Sequence, residues 1–328
     1  MRIVVHPATD LPYASMVLEG FAQVLGAGGV RYSTAGFPSR YRIGRTMAFY
    51  LEDDPGARGF VSFTDQPIVH PIGRAWARVH CAVNVDEDAA DSGVLPLGPA
   101  FGVRLRSPAL TARHVAATWR WAGVRGARDA LERTRLVARH ERRRTVIDAY
   151  RPVASDPDYV FYVAWPWAKH AEVNPPRAEF VEACRRAPGL TFEGGFAPRR
   201  RADVPEVLEL SAPRRYGIRE YLARVGRSAV AFNNPAVHGC LGWKLGEFLA
   251  LGKATISLPV TRALPAPLEH GVHLHVVDGS PGAIDDAIAR LRTDHRYRRS
   301  LEVNARRWYE EHLAPAALAR RLLGLLQR

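Results

Sequence analysis

Residues 2–6 (RIVVH) are a short apolar run, the pattern of a strand buried on both faces. Residues 11–29 (LPYASMVLEGFAQVLGAGG) switch to helical spacing and close on glycines, where helices commonly stop. VRYSTAGF (30–37) reads as a second strand, so the chain opens as βαβ. The rhythm then changes. TMAFYLE (46–52) and RGFVSFTD (58–65) are rich in β-formers and flank the turn sequence DDPGA, which predicts a hairpin. HCAVNV (80–85) and FGVRL (101–105) predict further strands, with WARV (76–79) helical before them. Residues 108–122 and 126–150 predict two helices, the second laden with arginine.

From SDPDYVFYVAWPW (155–167) the alternation restarts. The apolar run is strand-like, and its Asp-Pro-Asp lead-in suits a domain boundary. Helix PPRAEFVEACRRA, strand LTFEGGF, helix YGIREYLARVG, strand SAVAFNN, helix GWKLGEFLALG, strands KATISLP and VHLHVV, and helix PGAIDDAIARLRTD follow in order. Strands alternating with such helices predict a parallel sheet covered on both faces. From Tyr297 a long helical segment, interrupted at Pro315, closes the chain.

At 328 residues the chain is too long for most single cores. The expected class is α/β with two Rossmann-like domains. Residues 1–152 form the first domain and 153–305 the second, and 306–328 a closing helix that could pack back on the first. Ligands of such sheets bind beyond the carboxyl ends of the strands, here in a cleft where the domains face each other.

Composition narrows the possible functions. With 47% apolar and 24% charged residues the chain is globular rather than disordered. No apolar run approaches the roughly 18 residues of a membrane span, and MRIVVHPATD lacks the plan of a signal peptide. Three widely spaced cysteines, Cys81, Cys184 and Cys240, argue against a disulfide framework or a zinc site and fit a reducing cytoplasm. The net charge is +13, and only Lys169, Lys244 and Lys253 among the 46 basic residues are lysines. That ratio fits a GC-rich genome. The charge suits a solvated basic surface, nucleotides, anionic lipid headgroups or nucleic acid.

Lysine 244 therefore stands out. After the strand ending near Phe232 come Asn233, Asn234, Pro235, Gly239 and Gly242, then a helix with Leu245, Phe248 and Leu249 as its apolar stripe. Lys244 and Glu247, three apart, share the opposite face near the helix start. Glycines before a helix let backbone N–H groups approach an anion, and the helix dipole and a lysine add attraction. A glutamate one turn on could accept from ribose hydroxyls. The set suits a nucleoside diphosphate. A surface Lys–Glu pair, worth about 0.3 kcal/mol, fits the spacing equally well.

The ordered series GWKLGEFLALGKATISLP, LPAPLEHGVHLHVVD, AIARLRTD and RRSLEVNARRWYEEHLAP resembles the donor domain of GT-B glycosyltransferases, over about residues 190–315. The group-1-like and spore-maturation-protein-like branches are nearest. SFTDQPIVHP (62–71) is loosely similar to an Asp-x-Pro segment of related enzymes. The resemblance implies that Glu247 binds the donor ribose, Lys244 and the backbone near Gly242 the diphosphate, and the EGGF loop with Gly195 the base. Related members of the group-4 pattern carry a second glutamate where this chain has Gly239, which leaves retention or inversion open.

Other residues extend the reading. Lys169 in AWPWAKH follows a strand, where family members place a phosphate-binding cation; it also reads as a loop lysine. In such enzymes the loop of Glu269 contacts the donor sugar, whereas His273 and His275 read as satisfied histidines and Lys253 as structural. An inverting transferase needs a general base from the first half. Asp65, His70 and Asp10 (beside His6) lie at strand exits and are the candidates, Asp65 first. VNVDED (83–88) has the look of a metal-binding carboxylate motif, but such short motifs arise easily, and neither metal nor cofactor is expected.

The reading is a cytoplasmic transferase, in which peripheral contact with the inner membrane face is compatible with the charge. It would move a sugar from a nucleotide donor to a hydroxyl acceptor, lipid-linked or anionic, met by Tyr41, Phe49, Asp65 and His70. A nucleotide-sugar epimerase on the same scaffold would need the same donor site. A nucleic-acid-binding protein is the third possibility, against which the basic residues lack interleaved aromatics.

Overall fold

The computed structural model describes residues 1–39, 41, 44–87, 92–199 and 204–328. Two compact units divide the chain. The first comprises Met1–Ile147, Arg262–Ala266 and Glu311–Arg328; the second comprises Asp148–Thr261 and Pro267–Glu310. Both are α/β.

In the first unit β1 (Ile3–Val5) is fully buried, and α1 (Leu11–Leu25) has a proline in its first turn and stops at Gly26, whose φ is 75°. β2 (Val30–Tyr32) pairs parallel with β1, completing the expected βαβ opening. The expected hairpin is β3 (Thr46–Leu51) and β4 (Asp54–Ser62), antiparallel with an irregularity at Tyr50/Leu51. The next helix, α2 (Pro71–Trp76), takes only Trp76 of WARV: Pro71 presets its first turn, Ala77 is already extended and Val79 opens the following strand. β5 (Val79–Ala82) and β6 (Val94–Pro96) complete a six-stranded sheet in the order β2-β1-β3-β4-β5-β6. The hairpin makes this sheet mixed, since β3 runs antiparallel to both neighbours.

FGVRL is not a strand. The segment is buried apart from Arg104, but it pairs with no strand: Arg104 N donates to Thr145 O at 2.9 Å, and its other bonds go to side chains of helices. Ser15 Oγ on α1 accepts from Val103 N at 3.0 Å, and Glu19 Oε2 accepts from Arg106 N at 3.0 Å. Helices α3 (Pro108–Ala122) and α4 (Ala127–Arg143) follow, and α4 ends seven residues before the sequence pattern suggests. There His140 Nε2 bonds Val103 O at 2.7 Å, tying the helix end to the same segment.

The second unit holds β7 (Tyr159–Ala164), α5 (Pro175–Arg186), β8 (Thr191–Phe196), α6 (Ile218–Arg227), β9 (Ala231–Asn233), α7 (Trp243–Ala250), β10 (Thr255–Ser257), β11 (His275–Val276), α8 (Pro281–Thr293) and α9 (His295–Trp308). All ladders are parallel, but they form a pair, β7-β8, and a triplet, β11-β10-β9. Ser228 joins the two sets: its Oγ accepts from Phe161 N at 2.9 Å and donates to Val230 O at 2.6 Å. Phe180 on α5 stacks on Phe232 at 4.5 Å in the core. Beyond α9, a π-helical turn (Tyr309–Leu313) leads to α10 (Pro315–Leu326), which belongs to the first unit and packs on α1. Among the described residues no helix is long and apolar enough to cross a membrane.

Gly20 marks the α1–α10 contact. A Cβ there would stand 2.0 Å from Pro315 O. Gly→Ala inside a helix normally stabilises by about 1 kcal/mol. Gly20→Ala is expected to do the opposite and lower the melting temperature by several degrees in a thermal denaturation scan. A neutral or raised value would mean that the two helices separate easily.

Candidate functional site

The carboxyl ends of β7 and β9 bring together a group of polar side chains. Asn174, at the start of α5, closes the loop after β7: its Oδ1 accepts from Trp167 N at 3.0 Å and its Nδ2 donates to Trp167 O at 2.8 Å. Arg177, one turn into α5, is buried. It donates through Nε to Asn234 Oδ1 at 2.8 Å and through Nη1 to Trp165 O at 3.1 Å. Asn233 Nδ2 reaches Ser257 Oγ at 2.9 Å, linking the ends of β9 and β10.

The chain between β9 and α7 then turns through His238, φ 57°, and Gly239, φ 69°. His238 is the one non-glycine in the left-handed region among the described residues. A glutamate at 239 would have to adopt that same conformation, which explains why glycine occupies the position. Gly242 sits at the N-cap of α7 with open space where a Cβ would be.

Lys244 and Glu247 do not form a solvated surface pair. From Leu245 to Ala250 the helix α7 is buried, Glu247 included, whereas Lys244 in its first turn is half-buried with its ammonium turned onto the protein. The Lys244 ammonium donates to Val163 O and lies 4.6 Å from the Tyr162 ring centroid. Among the described residues no carboxylate lies within ion-pair distance of it. Burial, then the repulsion of Arg177, pull its pKa down to about 7, with Glu247 acting in the other direction. Glu247 is 4% exposed and accepts from Tyr221 OH at 3.2 Å, so one carboxylate oxygen is engaged within the protein.

The EGGF segment is not a loop but the strand β8 itself. Gly194 and Gly195 have φ of 124° and 125°, and a Cβ would meet Tyr162 O at 1.9 Å or Leu210 O at 2.1 Å, respectively. Close backbone packing alone accounts for both glycines. Glu193 is held by Tyr159 OH at 2.7 Å and Arg224 Nε at 2.7 Å. Lys169 is exposed on the loop after β7, and Glu269 is exposed in the loop before β11. No hydrogen bond or ion pair among the described residues ties either to Lys244. Lys253 is fully buried and donates to Gly226 O at 2.8 Å, a structural role.

In the first unit Arg45 gathers two of the three candidate bases. It forms an ion pair with Asp65, lies 4.9 Å over the Tyr13 ring, and acts electrostatically on Asp10 together with Arg133. Burial raises the pKa of Asp10, partly offset by those two arginines. His70 lies elsewhere, 4.8 Å from the Phe60 ring, and burial lowers its pKa. Asp86 of the VNVDED motif pairs with Arg262; Asp88 lies outside the described residues. No group of three potential metal ligands occurs among the described residues. Arg177, Asn174 and Tyr221 carry no signal in the sequence pattern. An arginine is uninformative in so basic a chain, although Asn-Pro-Pro-Arg does announce a helix start.

No family model matches the chain, and no curated protein does. Several solved structures overlap with it in part. A glycosyltransferase from Rickettsia africae overlaps at TM-score 0.48 and 11% identity, over 81% of this chain and 69% of that one. Anabaena HepE in complex with UDP-glucose gives 0.44 and 13%, over 81% and 71%. A UDP-GlcNAc 2-epimerase from Neisseria meningitidis gives 0.42 and 13%, over 99% and 76%. The chain covers only 36% of the length of TarM and 52% of a Thermosynechococcus elongatus sucrose-phosphate synthase. At these values the overlaps assign no activity.

The Lys244 site has a consequence for stability. The folded pKa of about 7 lies below the ordinary 10.5, so the unfolded chain binds the proton more tightly across that interval. The cost to the fold is complete below pH 7 and is relieved as pH rises toward 10.5. Removing the amine with Lys244→Met is expected to make chemical-denaturation stability less dependent on pH. The wild-type deficit relative to the variant should shrink by up to about 1.4 kcal/mol per pH unit between those values. Parallel curves would show an ordinary, solvated lysine.

Proposed function

We propose that this protein is a glycosyltransferase that moves a sugar from a nucleoside-diphosphate donor to an acceptor hydroxyl, with the diphosphate at the N-terminus of α7. The observation that carries the reading is Lys244. It is a cation at the carboxyl edge of a parallel sheet, in the first turn of a helix, with no ion-pair partner among the described residues, only the weaker pull of Glu247, and beside a buried cation, Arg177. Such a place is costly for a positive charge and gains most from an incoming dianion. Open space at Gly242 lets the backbone N–H groups of the helix start approach the same ligand. The ordered likeness to GT-B donor domains over residues 190–315 gives the same direction, to the level of that class.

In this reading Lys244, the helix start and Arg177 neutralise the charge that develops on the departing diphosphate. Lys169 and Glu269 contribute from exposed loops. The transfer needs positioning and charge neutralisation rather than a covalent cofactor, and no metal is invoked. Of Asp10, Asp65 and His70, Asp10 has the raised proton affinity that suits a general base, whereas Asp65 is tied to Arg45.

A thermal-shift panel of UDP, GDP, dTDP and ADP, with and without EDTA, tests the site. One of them is expected to stabilise the protein, by about 2.7 kcal/mol at a hundredfold excess over Kd, and to do so in EDTA. Lys244→Ala should abolish the shift and Glu247→Gln should reduce it. A shift untouched by both would remove the assignment. Product analysis with the matching sugar nucleotide then separates transfer from epimerisation, because an epimerase changes the free donor and needs no acceptor.

A further inference from the structure

The opposite end of the second unit carries a separate cavity of about 500 Å³ between residues 152–155 and α9, lined by Pro152, Val153, Ser155, His295, Arg298 and Glu302 among others. It lies beside the amino ends of the parallel strands. Asp156 precedes β7, and Lys253 precedes β10. Its walls hold more positive than negative charge. Arg298 is 7% exposed and rigidly placed: Nη1 donates to Leu291 O at 2.8 Å and Arg292 O at 3.2 Å, and Nη2 bonds His295 Nδ1 at 3.0 Å. None of those three partners is a carboxylate.

Glu302, 5% exposed, is the one carboxylate lining the cavity, and it is shared. It accepts from Ser155 Oγ at 2.5 Å and from Arg299 Nη1 at 3.2 Å, and stands 4.0 Å from Arg298 Nε. Behind it the buried Lys253 ammonium leans on the same charge. One carboxylate thus answers three cations in a partly dry place. The facing wall is apolar, with Pro152, Val153 and Ala154, and Val153 is 49% exposed. A volume of this size suits a small organic molecule.

We propose that this cavity binds a small organic anion, a phosphate monoester or carboxylate with a short apolar body. The anionic head meets Arg298 and Arg299, and the body rests on Pro152 and Val153. The ligand would complete the charge balance that Glu302 leaves unfinished. The site is independent of the nucleotide reading, since its residues belong to the far edge of the strands. Gly252 packs against two of its lining residues: a Cβ there would meet Glu302 O at 3.1 Å and Pro152 Cγ at 3.2 Å.

Calorimetric titration of the full chain with phenyl phosphate, and with phenol as the neutral control, tests the proposal. Saturable binding of phenyl phosphate and none of phenol is expected. Arg299→Glu, at a side chain 66% exposed, should weaken it about tenfold or more. Val153→Asp should do the same, and Lys244→Ala should leave it unchanged. The proposal is overturned if phenol binds as well as phenyl phosphate, or if both cavity variants bind like wild type. It is equally overturned if Lys244→Ala alone removes binding, because the anion would then sit at α7. A nucleotide shift that survives Arg299→Glu keeps the outcome of this test separate from that of the proposed function.

Discussion

An ammonium group enclosed by protein with no carboxylate at ion-pair distance is costly to hold, and the carboxyl edge of the second unit's sheet carries one. Lys244 leans on a backbone carbonyl and an aromatic face, both of which soften the cost without cancelling it. Its closest cationic influence, Arg177, makes matters worse and is itself locked to Asn234 and the Trp165 carbonyl. The loops after β7 and β9 are held by these bonds, so the charge is fixed in place rather than free to swing out. A preorganised charge of this kind is what a leaving diphosphate requires.

Much of this architecture could be read from residue order. The βαβ opening, the hairpin across DDPGA and the strand–helix alternation after residue 155 all follow from periodicity and turn chemistry, because each is a local property. The failures were non-local. FGVRL reads as a strand, but only the fold reveals that Ser15 of α1 takes the Val103 N–H and Glu19 that of the following Arg106. The parallel sheet of the second unit splits at Ser228, whose hydroxyl replaces ladder bonds, and nothing in SAVAFNN foretells that.

The candidate site was legible in its residues but not in its environment. Spacing alone placed Lys244 and Glu247 on one helix face and gave that face to solvent. In the fold Glu247 is buried and Lys244 is half-buried, its ammonium on the Val163 carbonyl and the Tyr162 ring, so the two make no solvated pair. Burial is decided by what packs around α7, namely Tyr162, Tyr221 and the carboxyl end of β7, which are distant in sequence. Conversely Gly195 looked like a ligand-reading position and proves to be demanded by the Leu210 carbonyl behind it.

The path of the chain carries a further implication. Residues 262–266 and 311–328 are part of the first unit, although Asp148–Thr261 of the second precedes the one and all of the second precedes the other. Synthesis proceeds from the amino end, so α1 waits with the surface around Gly20 uncovered while more than half the chain is still being made. The second unit lacks only Pro267–Glu310 at the time its sheet starts to assemble, and it can close before the first is whole. Trimming the carboxyl end would therefore wound the half of the molecule that was translated earliest.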